Sequence, residues 1–106
     1  EKGLLTETCP AEQLDARARE LAMEIATNTS PVAIALTRRL LWKYASDASP
    51  SGALSVDALL NIELGKGGDV HEGVTACLEK RAPAFPNKVS SDMPATPWWP
   101  DDPTRA

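Results

Sequence analysis

The sequence has few aromatic residues, only two cysteines and no long apolar run; aromatics make up 5% of its 106 residues. Cys9 and Cys77 are too few and too far apart for a disulfide scaffold or a metal knuckle, so we expect two buried free thiols in a reducing compartment. The longest apolar runs, such as residues 32–36, fall far short of the ~20 residues that a membrane span requires, and no signal segment opens the chain. These shortages predict a cytoplasmic chain that does not enter a membrane.

Positive charge is also scarce, with 11 Lys and Arg residues against 15 Asp and Glu residues and a net charge of -4. Nucleic-acid binders concentrate Lys and Arg on one face, so the sequence predicts no nucleic-acid partner. A chain of this length is one domain that buries roughly 60–68% of its unfolded surface. Because that leaves little margin of stability, we expect it to associate with a partner or a second copy.

Apolar residues at helical spacing predict three helices in the first two thirds of the chain. The first spans residues 10–28. Ser30 and Pro31 supply an N-cap and a first-turn proline for the second, which should run to about Tyr44. After a loop at residues 45–52, a third helix should end at Gly65. The residues that we expect inside the bundle are Leu14, Leu21, Ile25, Leu36, Leu40, Leu59, Val74 and Leu78.

A fourth helix is predicted to begin at Asp69 and to end before Pro83. Asp69 and Glu72 have the spacing of a capping box, in which each side chain accepts a hydrogen bond from the backbone amide of the other residue. With His71 they could instead ligate a metal, but capping explains both carboxylates, so we predict no metal site. Gly73 lies inside this helix at a cost of about 1 kcal/mol relative to Ala, which suggests close approach by a packed group or, less often, a ligand.

The two ends of the chain differ from its helical centre. Residues 3–8 are typical of an edge strand, yet no partner strand follows, and because the first residue is Glu1 we expect a preceding segment. Residues 82–106 are rich in proline but also apolar, so this extended tail should lie along a surface. Its Trp98 and Trp99 favour an anchor on the protein itself or a neighbouring subunit over a peptide ligand for a proline-recognising domain.

The predicted fold class is therefore all-α: a small irregular bundle of three to four helices with an extended Pro/Trp-rich C-terminal tail. Its expected parts are a short extended segment at 1–9, a helical oligomerisation domain at 10–81 and the tail at 82–106.

Two pairs of charged residues could in principle form a functional site, but we predict that neither is catalytic. Glu20 and Glu24 are one helical turn apart, as an acid/base pair could be, but they lie on the polar face and are typical of a solvated surface. Arg38 and Arg39 could bind a phosphate, although ion pairs or simple exposure explain them equally well. We therefore predict no catalytic residue.

Several blocks of the sequence have an order and spacing that together are specific, although no single block is diagnostic. The blocks are residues 3–14, 22–26, 30–41 and 69–85. They resemble the C-terminal third of the enoyl-CoA hydratase/isomerase (crotonase) family, and residues 85–99 resemble a bacterial subgroup with a long tail. Two positions depart from the family pattern: Cys77 replaces an aromatic residue, and Pro86 stands where a basic residue is common.

The resemblance implies a parent enzyme whose N-terminal ββα spiral holds the active site and whose C-terminal helices build trimers, often paired into hexamers. The parent would stabilise the enolate of an enoyl-CoA thioester with two backbone amides and would use carboxylates for proton transfer. Those groups belong to the spiral, so this segment alone should be inactive. Hydratase and isomerase activities both remain open.

The resemblance also implies that the last helix and the residues after it help to cover coenzyme A (CoA). Phe85 matches the aromatic residue near adenine, and Lys88 matches the cation near phosphate. The implied partners are further copies of the chain and the acyl-CoA substrate, with no cofactor. The alternative is a stand-alone helical protein-interaction module whose Pro/Trp tail docks on a partner.

Overall fold

The computed structural model describes residues 3–95, and the regular elements in this range are all helical, which confirms the predicted fold class. A 3-10 turn at Ala11–Gln13 leads into four α-helices, which are α1 (Leu14–Asn28), α2 (Pro31–Tyr44), α3 (Ser51–Leu64) and α4 (Gly68–Glu79). The predicted edge strand at residues 3–8 is wrong, because no strand forms in the part of the chain that the structure describes and an isolated strand has no partner for its backbone groups.

The start of α2 confirms the predicted N-cap. The Ser30 hydroxyl accepts a hydrogen bond from the Ala33 amide at 3.2 Å, and Pro31 occupies the first helical turn. The cap satisfies one of the amides that a helix leaves unpaired at its start, while the proline lacks such an amide. As predicted, α2 ends at Tyr44.

Backbone conformation, rather than side-chain capping, defines both ends of α4. The helix begins at Gly68 with Gly67 as its N-cap, and no side chain caps it, so the predicted capping box of Asp69 and Glu72 is wrong. At the other end, Lys80 adopts a left-handed conformation with φ 53°, and the Arg81 amide donates to the Ala76 carbonyl at 3.0 Å. This left-handed turn closes the helix and redirects the chain.

The core is small and lies between α2 and α3. Val32, Leu36 and Leu60 are buried, and partly buried apolar residues pack against them, namely Leu40, Val56, Leu64 and Met93. Of the eight residues predicted to be inside, Leu36 is buried, and Leu21 and Leu40 are half-buried. The prediction is wrong for the other five, which are 52–78% exposed: Leu14, Ile25, Leu59, Val74 and Leu78.

The physical reason for this exposure is an open arrangement of the helices. The radius of gyration is 16.6 Å, whereas a compact domain of about 100 residues has a value near 13 Å. No described element covers the five exposed apolar residues of α1, α3 and α4, whereas a different face of α3, with Val56, Leu60 and Leu64, packs into the core. The helices of the described region include none that is long and apolar enough to cross a membrane.

Candidate functional site

The segment that follows α4 turns back along that helix without forming regular structure. We name residues 82–92 the strap. On the strap, the Phe85 ring and the Pro86 ring lie against α4 at Gly73 and Gly68 respectively. Beyond the strap, Met93 packs against the core between α2 and α3. Residues 85–93 thus lie on the protein surface through several separate contacts, which agrees with the prediction for this part of the tail.

Gly73 lies under the Phe85 ring, but the approach is not tight. A Cβ atom built at Gly73 would be 3.6 Å from Phe85 Cε1, an ordinary van der Waals distance. At Gly68 the corresponding distance to Pro86 Cγ is 3.1 Å, which is crowded. The close approach that the cost of Gly73 suggested is therefore not found at Gly73, whereas a Cβ atom at Gly68 would require Pro86 to shift by a few tenths of an ångström.

Glu72 fastens the first half of the strap to α4. Its carboxylate accepts hydrogen bonds from Arg81 Nη1 at 2.6 Å and Nη2 at 2.9 Å, and from the Ala84 amide at 2.6 Å. These donors, the Arg81 guanidinium first and the Ala84 amide second, lower the pKa of Glu72 to about 2. Glu79 also accepts from Arg81, and the two carboxylates raise the pKa of that guanidinium further. Glu72 is therefore ionised at neutral pH and binds the strap rather than capping α4.

Asp69 fastens the second half of the strap. Its side chain belongs to a residue that is only 7% exposed, and one carboxylate oxygen accepts from the Asn87 amide at 3.0 Å. The other oxygen accepts from the Ser30 hydroxyl at the start of α2. Asp69 thus joins α2, α4 and the strap. This role could not be predicted from the local sequence, because both partners are distant from Asp69 along the chain.

The two residues that resemble a CoA-binding pair both lie on the strap. Phe85 is half-buried against α4, whereas Lys88 is exposed. The backbone at Lys88 is fixed by a turn, because its amide donates to the Asp92 carboxylate at 2.8 Å and its carbonyl accepts from the Asp92 amide at 2.8 Å. The Lys88 amide and the Ser91 hydroxyl lower the pKa of Asp92. The fold therefore places an aromatic ring and a cation three residues apart on one anchored segment.

The other candidate groups do not form a site among the described residues. Glu20 pairs with Arg17, which also binds Glu7 on the exposed surface. Between residues 3 and 95, no group of three or more His, Cys, Asp or Glu side chains could hold a metal ion. Cys9 and Cys77 are free thiols, but the expectation that both are buried is wrong, because Cys77 is exposed on α4. Trp98 and Trp99 lie outside the described residues.

Comparison with known proteins shows that the chain is similar to part of three enoyl-CoA hydratases, which confirms the resemblance to that family. The resemblance of residues 85–99 to a bacterial subgroup stays a prediction. Enoyl-CoA hydratases ACTT3 and AKT3-2 of Alternaria alternata are each 40% identical to it over 84 residues, and AFT3-1 of the same organism is 39% identical.

The match covers 78% of this chain but 28% of each relative, so the chain spans little more than a quarter of the curated relatives' length. No family model and no solved structure matches the chain.

Proposed function

We propose that this chain is the C-terminal helical part of an enoyl-CoA hydratase or isomerase, where it contributes to subunit assembly and to the cover over CoA. The observation that carries the proposal is the 40% identity to enoyl-CoA hydratases over 84 residues. In this proposal residues 1–9 end the catalytic core, residues 10–81 form the assembly domain and residues 82–106 form the tail. The enzyme would act in cytoplasmic fatty acid metabolism.

The chemistry proposed for the parent enzyme is the addition of water to, or the isomerisation of, an enoyl-CoA thioester. Negative charge would develop on the thioester oxygen as the enolate forms, and preorganised backbone amides would stabilise it. The chain supplies no catalytic residue in this mechanism. Losing one such donor typically costs about 10²–10³ in turnover, so a segment without the donors and the acid/base carboxylates should have no hydratase activity.

The strap is the part of this chain that we propose to contact substrate. Phe85 would offer an apolar face to adenine, and Lys88 would place a positive charge near a phosphate. The hydrogen bonds of Glu72 and Asp69 to the strap backbone support this assignment, because they hold both residues in place before substrate arrives.

Subunit assembly would use the exposed apolar surface of the helices. Leu41, Trp42 and Leu78 are 68%, 74% and 78% exposed. Apolar surface of this kind is typical of a face that another polypeptide covers. We propose that the catalytic core and further copies of the chain cover it, giving a homo-oligomer. A stand-alone interaction module with a docking tail is the alternative that the experiment must exclude.

The proposal is tested by hydration of crotonyl-CoA, followed by absorbance, with the full-length protein that carries this chain. A Phe85→Ala, Lys88→Ala double variant should raise KM for crotonyl-CoA and leave kcat nearly unchanged. Lys43→Ala, which removes an exposed cation in the last turn of α2, is the charge-matched control and should leave KM unchanged. The isolated chain should show no turnover.

Three results would contradict parts of this assignment. Turnover by the isolated chain would contradict the claim that the catalytic groups lie elsewhere. An unchanged KM in the double variant would remove Phe85 and Lys88 from the CoA site. A coding sequence that starts immediately before Glu1, with a strictly monomeric product in sedimentation, would favour the interaction module over the enzyme.

A further inference from the structure

We infer that Asp69 is a positioning residue for CoA: its carboxylate fixes the half of the strap that carries Lys88, and it ties that half to the start of α2. The inference rests on the proposed function, because it concerns how the proposed CoA contacts are held. Asp69 itself would not touch substrate.

The first step of the inference is that Asp69 is buried and hydrogen-bonded to two different elements. Asp69 is a residue that is 7% exposed, and burying its carboxylate is costly unless the oxygens are hydrogen-bonded; both oxygens have partners. The donors come from two different elements, the Ser30 hydroxyl at the N-terminus of α2 and the Asn87 amide on the strap. The residue therefore holds two elements in a fixed relation.

The second step concerns which strap residues are hydrogen-bonded to α4. Its two backbone amides that bind carboxylates of α4 are those of Ala84 and Asn87. Ala84 precedes Phe85, and Asn87 precedes Lys88. Each hydrogen bond thus fixes the residue directly before one of the two proposed CoA contacts. Glu72 secures the Phe85 end and Asp69 secures the Lys88 end, so the two acids have separable effects.

Packing at the same place supports a fixed position for the strap. Pro86 lies against Gly68 so closely that a Cβ atom there would be 3.1 Å from Pro86 Cγ. The Asn87 side chain lies over the first turn of α4, with its Oδ1 atom 3.6 Å from the same Cβ position. With the Asn87 amide held by Asp69, the segment that leads into Lys88 has contacts through its backbone, its proline ring and its amide side chain.

The test compares two substrates in the full-length protein, crotonyl-CoA and crotonyl-pantetheine, which lacks the phosphates and adenine. Losing a hydrogen bond to a charged group corresponds to about tenfold or more in affinity. Asp69→Ala should therefore raise KM for crotonyl-CoA about tenfold, with kcat within about twofold, and should leave KM for crotonyl-pantetheine unchanged. Asp69→Asn keeps a carbonyl acceptor and should give a smaller rise of about threefold.

The controls separate positioning from a purely structural role. Asp57→Ala removes an exposed carboxylate of α3 and should change neither KM. The inference is overturned if Asp69→Ala and Asp69→Asn raise KM equally for both substrates, or raise KM for neither. If the alanine variant does not fold, the KM values of Asp69→Asn decide the question.

The Phe85→Ala, Lys88→Ala double variant distinguishes a failure of the positioning role of Asp69 from a failure of the proposed CoA contact. If that variant shifts the ratio of the two KM values and the Asp69 variants do not, only the positioning role fails. If the double variant also leaves the ratio unchanged, the proposed CoA contact fails together with the inference.

Discussion

Replacing Gly73 by alanine should stabilise the chain, although this glycine lies directly under an aromatic ring. The added methyl carbon would be 3.6 Å from Phe85 Cε1, so it would make an ordinary contact and displace nothing. Gly73 is in the interior of α4, where glycine costs about 1 kcal/mol relative to alanine. We therefore expect Gly73→Ala to raise the free energy of unfolding by about 1 kcal/mol, or Tm by roughly 4–8 °C for a domain of this size.

The assay is thermal and urea unfolding of the chain, followed by circular dichroism at 222 nm. The matched control is Gly65→Ala at the end of α3, where the added Cβ would be 2.9 Å from the Asn61 carbonyl oxygen. Because backbone cannot easily move away, this variant should lower stability. The reasoning is refuted if Gly73→Ala lowers the free energy of unfolding, since that would mean that the Phe85 ring lies closer to α4 than 3.6 Å permits.

Three further outcomes are expected from the contacts described above. Leu36→Ala should lower the free energy of unfolding in urea by about 2–5 kcal/mol, because it removes a buried side chain. Leu41→Ala, on the exposed side of α2, should lower it by less than about 0.5 kcal/mol in the isolated chain, and equal losses would place the core elsewhere. Ser30→Ala should lower the stability by about 1 kcal/mol or more, because it removes the α2 cap, and an unchanged stability would contradict that role. Glu72 has a pKa lowered to about 2, so its contribution to stability should be complete above the unfolded pKa near 4.3 and lost as the pH falls through 2. A side-chain NMR titration of Glu72 with a midpoint near 4.3 would contradict the Arg81 contact.

Features of the fold that depend on neighbouring residues were predictable from the sequence. Ser30 and Pro31 define the start of α2 because the cap and the proline act within one helical turn. The end of α3 before Gly65 follows from a similar local signal. Helix positions were therefore predicted within a few residues.

Features that depend on distant partners were not predictable in the same way. Asp69 and Glu72 have the spacing of a capping box, but their carboxylates bind the strap because donors from residues 81–87 come within reach once Lys80 turns the chain. Periodicity identified the apolar stripe of α4 at Val74 and Leu78, but it does not say whether another element covers that stripe. Burial requires a partner, and the described residues provide none for these side chains.

The candidate site shows the same division. That Phe85 and Lys88 share one segment follows from the sequence alone, and proline in that segment predicted an extended backbone. The use of two helix carboxylates to hold this segment required the structure, because hydrogen bonds across 12 and 18 residues leave no local pattern.

The spacing of the carboxylate contacts has a consequence for the order in which this region folds. Glu72 contacts Arg81 and Ala84 at separations of 9 and 12 residues, and Asp69 contacts Asn87 across 18, whereas its contact with Ser30 spans 39. The entropy lost in closing a loop grows with loop length, and short loops close faster. We therefore expect α4 and the strap to form one hairpin-like unit early, which then docks onto α2 through Asp69.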